Sequence, residues 1–202
     1  MIGTGAVPVP DSPDGPADAV RDGVQASEPL QRQLRARALR LLARREYSRE
    51  ELRRKLGTQP ARMRASGPAA AAGTDDASTV PAATLDTVLD SLARANWLSD
   101  TRCAELLVRG KASRMGIAGV ARILSQKGID GAAAAEALAP LRETERSRAL
   151  ELWRRRFGAA APDARERARQ YRFLQARGFD GATIAWVLKQ AARGVIDADE
   201  PA

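Results

Sequence analysis

Histidine is absent from this 202-residue chain, and cysteine occurs once. Without histidine the chain lacks the commonest general base, the commonest metal ligand and the usual nucleophilic triads. The single Cys103 cannot close an internal disulfide, and its neighbours Ala104, Leu106 and Leu107 mark it as a small core residue. Aromatic residues make up only 4% of the chain. No apolar run approaches the roughly 18 residues of a membrane span. No basic start followed by an apolar stretch marks a secretory signal, so a cytoplasmic protein without membrane contact is expected. There is no glycine-rich phosphate loop and no metal-ligand spacing. No pair of carboxylates stands out for acid–base work. No catalytic residue, metal site or cofactor is therefore expected, and the chain reads as a binder of macromolecules rather than an enzyme.

What is present in excess is positive charge, 33 basic against 25 acidic residues and a net +8. It is unevenly spread. Residues 1–30 carry a net −4 and residues 194–202 a net −3, leaving +15 on residues 31–193. Such a body favours polyanions through counterion release, and the acidic ends oppose non-specific adhesion.

Residues 1–29 are rich in Pro, Gly, Ala and Asp and poor in large apolar groups, so an acidic extension without fixed structure is expected there. Helical periodicity begins near Leu34, with Leu34, Ala38, Leu41 and Leu42 on one face. Ser48 followed by Glu51 is a capping box for a second helix to about Leu56, with Tyr47 as its hydrophobic staple. Residues 58–81, broken by Gln59-Pro60 and Gly67-Pro68, read as a flexible insertion. Thr84 is placed to cap a third helix carrying Leu85, Val88, Leu89 and Leu92. Ser99 or Asp100 caps the next, to about Arg109. Further helices are expected at 117–127, from Asp130 to before Pro140, at 141–157, at 162–177 and from Asp180 to Arg193. No segment alternates with period two, so no sheet is expected.

The strongest signal is internal. LSQKGIDGAAAAEAL from Leu124 aligns without gaps to LQARGFDGATIAWVL from Leu174. Each copy places a base (Lys127, Arg177) in the last helical turn and glycine (Gly128, Gly178) at the left-handed stop. An apolar residue then packs back, and Asp caps the next helix. Upstream, AATLDTVL at 82–89 resembles GATIAWVL at 181–188, and ALRLLARR at 38–45 resembles ALELWRRR at 149–156. The fold class is thus all-α, three tandem three-helix, helix-turn-helix-like repeats in an elongated, curved array. Repeat 1 spans 30–98, repeat 2 spans 99–140 and repeat 3 spans 141–193, followed by an acidic tail at 194–202.

These segments resemble the RecX family, bacterial regulators of the RecA recombinase. The resemblance is carried by ALRLLARREYSREELRRKL at 38–56, LDSLARANWLSDTRCAELLVRGKASRMG at 89–116, the LSQKGID elbow, and FLQARGFDGATIAWVL at 173–188. It covers about residues 34–192. Cys103 stands where the family usually has an aromatic and Gly110 where a base is common; the insertion and the acidic extension are local additions. The resemblance implies a protein without a catalytic site that lies along the groove of the RecA–DNA filament. There it blocks filament growth or promotes disassembly, and lowers RecA's ATPase, strand-exchange and co-protease activities. DNA repair, recombination and the SOS response are the implied setting.

A three-unit array offers an extended surface able to contact several sites together. The candidate RecA- and DNA-binding residues are Arg37, Arg40, Arg44, Arg45, Arg49, Arg53, Arg54 and Lys55 in repeat 1. In repeat 2 they are Arg109, Lys111, Arg114, Arg122 and Lys127. In repeat 3 they are Arg154, Arg155, Arg156, Arg172 and Arg177. Any one of them can instead be a solvated helix face or half of a pair such as Glu50–Arg54 or Glu51–Lys55. Trp97, Trp153 and Trp186 lie on or beside apolar stripes and are expected in the core. Beside a filament regulator with weak single- or double-stranded DNA contact stands a second reading, a stand-alone helix-turn-helix DNA-binding protein. That reading usually requires a dimer, and no dimerisation heptads are evident; a monomer is expected.

Overall fold

The computed structural model describes the backbone of residues 16–58 and 80–194, with side chains from Glu28 onward. Residues 1–15, the middle of the expected insertion and all but Gly194 of the expected tail lie outside the described residues. The described chain forms nine α-helices, one 3-10 turn and no sheet. They are α1 (Pro16–Leu42), α2 (Arg49–Gly57), α3 (Ala82–Arg94), α4 (Asp100–Lys111), the 3-10 turn Ala112–Arg114, α5 (Ile117–Gln126), α6 (Gly131–Leu138), α7 (Leu141–Arg156), α8 (Ala164–Ala176) and α9 (Gly181–Ala192).

The helices group in threes around three separate cores. Leu34, Leu52, Leu56, Leu89 and Leu92 centre the first, built by α1–α3. Cys103, Ala104, Val120, Leu124 and Ile129 centre the second, built by α4–α6. Trp153, Leu174, Phe179, Ile184 and Val187 centre the third, built by α7–α9. Leu141 packs in the second core, so that core reaches one residue past the expected boundary at 140.

Local chemistry sets most helix ends. Ser48, Ser99, Asp163 and Asp180 each accept a hydrogen bond from the amide three residues on. Gly128 and Gly178 stop α5 and α8 in the left-handed region, at φ 71° and 79°. In both elbows the next residue, Ile129 or Phe179, is buried and its amide donates back to Leu124 or Leu174.

Four expectations are corrected. α1 runs back to Pro16, so the segment 16–29 is helical. Proline fits a first turn, where its missing N–H has no partner anyway, and alanines favour the helix. The helix continues through Pro29, which deletes one bond of the ladder. α3 starts at Ala82 behind Pro81 rather than at a Thr84 cap. Val80 is buried in the first core and its amide donates to the Gly57 carbonyl, so the expected insertion ends before residue 81. α8 begins behind the Asp163 cap, two residues after its expected start at Pro162.

The three units join head to tail by one recurring device. At the first joint the Ser48 hydroxyl donates to the Lys127 carbonyl, and the Arg49 amide donates to an Asp100 carboxylate oxygen at 2.7 Å. At the second joint the Gly116 amide donates to the Arg177 carbonyl at 3.0 Å, and the Ile117 amide donates to Glu145 at 2.9 Å. Lys127 and Arg177 are equivalent elbow residues, and α2 and α5 are the second helices of their units. Thus the N-terminus of each second helix docks on the next unit's elbow. A carboxylate from the next unit's first helix caps it, where a negative charge suits the helix dipole.

Candidate macromolecule-binding surface

The candidate cations divide by what they touch. In unit 1 most are held internally. Arg49 pairs with Asp86 and Asp90 at 3.3 and 2.8 Å, and Arg53 pairs with Asp86. Arg37 donates to the Thr58 carbonyl at 3.0 Å and Arg54 to the Gln126 carbonyl at 3.2 Å. Arg45 binds Glu51 at 2.5 Å and stacks 3.7 Å from the Tyr47 ring, while Lys55 lies 6.0 Å from it. Lys127, from unit 2, closes the same cluster at 3.0 Å from Glu51. The expected pairs Glu50–Arg54 and Glu51–Lys55 do not form. Glu51 turns instead to Arg45 and Lys127, and Glu50 lies 3.9 Å from Arg53.

In unit 3, Arg155 pairs with Glu151 at 2.8 Å. Arg177 donates to the Phe173 carbonyl and stacks 3.7 Å from its ring. Arg156 lies 5.8 Å from the Phe157 ring, and Arg154 is half-buried on α7.

The remaining candidates are Arg40, Arg44, Arg109, Lys111, Arg114, Arg122 and Arg172. All are exposed, and their side chains have no hydrogen bond, ion pair or ring contact among the described residues. Unit 2 therefore keeps every candidate except Lys127 available. Between the second helices, the difference follows the third helices they face. α3 presents Asp86 and Asp90 to α2, whereas α6, GAAAAEAL, carries only the exposed Glu136.

Glu51, one of three carboxylates at the first joint, is electrostatically distinct. Burial alone would push the Glu51 carboxyl up, but hydrogen bonds from Arg45 and Lys127 outweigh it and hold it below the usual range. Burial, reinforced by Glu51 and Asp100, pushes the Cys103 thiol up to about 11, so this buried residue is an unreactive core thiol, as its neighbours suggested.

Sequence reasoning missed Glu145, Arg148 and Arg102. Arg148 donates to the carbonyls of Ala112 and Met115, both at 2.7 Å, and of Leu141 at 3.0 Å, stapling unit 3 to the end of unit 2. Burial lowers its pKa, opposed by Glu145. The available signal was the spacing Leu141, Glu145, Ala149, Trp153, which sets a carboxylate on a buried stripe. Arg102 binds Glu46 across the first joint at 2.8 Å.

Of the tryptophans only Trp153 is fully buried, its indole donating to Gln170 at 2.9 Å. Trp186 is half-buried, with Arg146 at 5.7 Å. Trp97 is 55% exposed, contrary to expectation. α3 ends at Arg94 and Asn96 takes a left-handed φ of 58°, so Trp97 falls outside the helical periodicity on which its expected burial rests.

Among the described residues, no helix is long and apolar enough to cross a membrane, and no group of three or more His, Cys, Asp or Glu could hold a metal ion.

Comparison with known proteins meets this geometry. A family model described as RecX, second three-helix domain, matches residues 99–138, and one described as RecX, third three-helix domain, matches 143–188. The regulatory protein RecX of Ralstonia nicotianae is 39% identical over 168 residues, covering 83% of this chain and 94% of that protein. The chain belongs to the RecX family. The regulatory protein RecX of Leptothrix cholodnii is 41% identical over 166 residues, covering 82% of this chain and 94% of its own. The crystal structure of RecX from Lactobacillus salivarius shares the fold at a TM-score of 0.59 and 18% identity, covering 81% of this chain and 97% of that one. The two matched RecX domains fall on units 2 and 3, the units joined by Glu145 and Arg148.

Proposed function

We propose that this RecX-family chain binds the RecA–DNA filament along its groove and inhibits filament extension. RecA's ATPase, strand exchange and co-protease activity fall in consequence. The chain works in the cytoplasm as a monomer and contributes no catalytic step of its own. The reading is supported first by relatives called regulatory protein RecX that align over 94% of their length. The observation that carries the DNA side of it is the set Arg109, Lys111, Arg114 and Arg122. These are exposed cations without protein partners among the described residues, on consecutive elements of a unit fixed at both ends by joints. They suit weak, sequence-independent contact with phosphates.

The stand-alone helix-turn-helix reading gains no comparable support. Gly128 and Gly178 in the two elbows are packed against the preceding units at Glu50 and Gly119.

The deciding experiment is the single-stranded-DNA-dependent ATPase of the cognate RecA, titrated with this chain. Inhibition at amounts well below RecA is expected, because an agent acting on filaments need not match every subunit. Absence of inhibition, even at excess and low salt, overturns the reading.

A further inference from the structure

The end of α9 repeats the punctuation of the two elbows. Lys127–Gly128–Ile129, Arg177–Gly178–Phe179 and Arg193–Gly194–Val195 share a base, a glycine and an apolar residue in that order. The three glycines have φ of 71°, 79° and 66°. A Cβ on Gly128 or Gly178 would lie within 2.5 Å of the neighbouring unit, whereas none of the described residues stands within 4 Å of one on Gly194. The third elbow is therefore uncovered among the described residues, and its left-handed glycine is a usual helix stop.

A groove of about 400 Å³ that no described residue fills lies between α8 and α9. Its apolar lining comes from Ala164, Ala168, Tyr171, Ala185 and Leu188, and the exposed Arg167 and Arg172 complete it. Neither guanidinium has a partner among the described residues. After Gly194 the sequence reads Val-Ile-Asp-Ala-Asp-Glu, two apolar residues and then three carboxylates in four positions. The reach is sufficient. Six residues span up to about 20 Å, while Ala185 lies roughly 10 Å back along α9 from Ala192.

We propose that residues 195–200 dock in the groove between α8 and α9, with Val195 and Ile196 on its apolar lining and Asp197, Asp199 and Glu200 against Arg167 and Arg172. The segment is an internal occupant that a polyanion must displace before it reaches Arg172. Both halves of the segment find a match, aliphatic on apolar and carboxylate on guanidinium. A nucleic-acid strand would match only the arginines. The docking stands by itself; its consequence for polyanion binding rests on the function proposed above.

The test compares amide NMR shifts of the full chain with those of the D197N/D199N/E200Q chain. Changes at Ala168, Tyr171, Ala185 and Leu188, undiminished on dilution, are the expected result. Unmoved shifts there overturn the proposal. So do changes that vanish on dilution, which would make a second copy's tail the occupant. The same chains are then titrated with labelled oligothymidylate at low salt. The neutralised tail should bind about threefold or more tightly, and the gain should disappear once Arg167→Gln and Arg172→Gln are added. A gain that survives those two changes overturns the proposal, because the tail would then act through net charge alone. If no chain binds the oligonucleotide, the DNA reading fails and the amide shifts still decide the docking.

Discussion

A single methyl group is enough to probe the packing between the second and third units. A Cβ added at Gly119 would stand 2.4 Å from the Arg177 carbonyl oxygen. Both sides of that approach are backbone held in helix ends, so neither can move aside cheaply. Gly119→Ala should therefore cost about 1–3 kcal/mol, the usual cost of overpacking. Gly110→Ala is the control. Nothing lies within 4 Å of its new Cβ among the described residues and the site is helical, so about 0.5–1 kcal/mol of stabilisation is expected. Denaturant midpoints of the two variants should move in opposite directions. Glu51 gives the second residue-scale test. Its pKa is depressed in the fold, so its contribution is present above the unfolded carboxylate range, near about 4.3. That contribution is lost as pH falls through the folded value. Glu51→Gln should lower stability at neutral pH by about 1–3 kcal/mol and flatten the acid limb of the stability profile. An unchanged acid limb would remove Glu51 from the joint. Neither role could be read from local sequence. Glu51 looked like the second half of a capping box, because its partner Lys127 is brought in only by tertiary packing.

Elements were legible at most ends that carry their own chemistry; Asp163 was passed over for Pro162, and Asp130, read as a cap, makes no side-chain cap hydrogen bond. Ser48, Asp180, Gly128 and Gly178 act on atoms within five residues of themselves, so spacing alone located the elbows. The start of α1 was not legible, because residues 16–29 carry few large apolar groups and no apolar stripe, while the structure carries the helix through Pro29. Nor were the joints, because the residues that meet there lie 28 to 79 positions apart. Glu145 shows what a joint residue does. It caps the free amide of Ile117, lies 8% exposed and faces Arg148, whose Nη1 donates to unit 2 carbonyls while Nη2 and Nε donate within α7. Removing it leaves a part-buried amide unsatisfied and a half-buried guanidinium without its counter-charge. Glu145→Ala should cost about 2–4 kcal/mol, and Glu145→Gln, which keeps an acceptor, clearly less. Hydrogen exchange should accelerate first at the amides of Ile117–Val120. Equal destabilisation in both variants, with no local acceleration, would mean that the charge facing Arg148, and not the acceptor for Ile117, carries the contribution.

At the scale of the whole molecule, the +15 carried by residues 31–193 is not one surface property but two. Sequence could count the bases, yet it could not separate those answered by Asp86, Asp90 and Glu51 from those that no described residue answers. The first group holds unit 1 together and ties it to unit 2; the second is available to a partner. The separation has an electrostatic signature. Removing a cation that neutralises a phosphate should reduce the slope of log affinity against log salt by about one. Replacing Arg109, Lys111, Arg114 and Arg122 by glutamine should thus flatten that slope by up to about four for an oligonucleotide, with the denaturation midpoint unmoved. Arg49→Gln and Arg53→Gln should do the reverse. Their pairs are 34–40% exposed where they meet Asp86, so solvent limits the stability loss to about 0.5–1 kcal/mol each. The salt slope should barely change. If instead the unit 1 pair flattens the slope as much per residue as the unit 2 set, then Arg49 and Arg53 exchange their carboxylates for phosphates on binding, and the internal pairs would be placeholders for the partner.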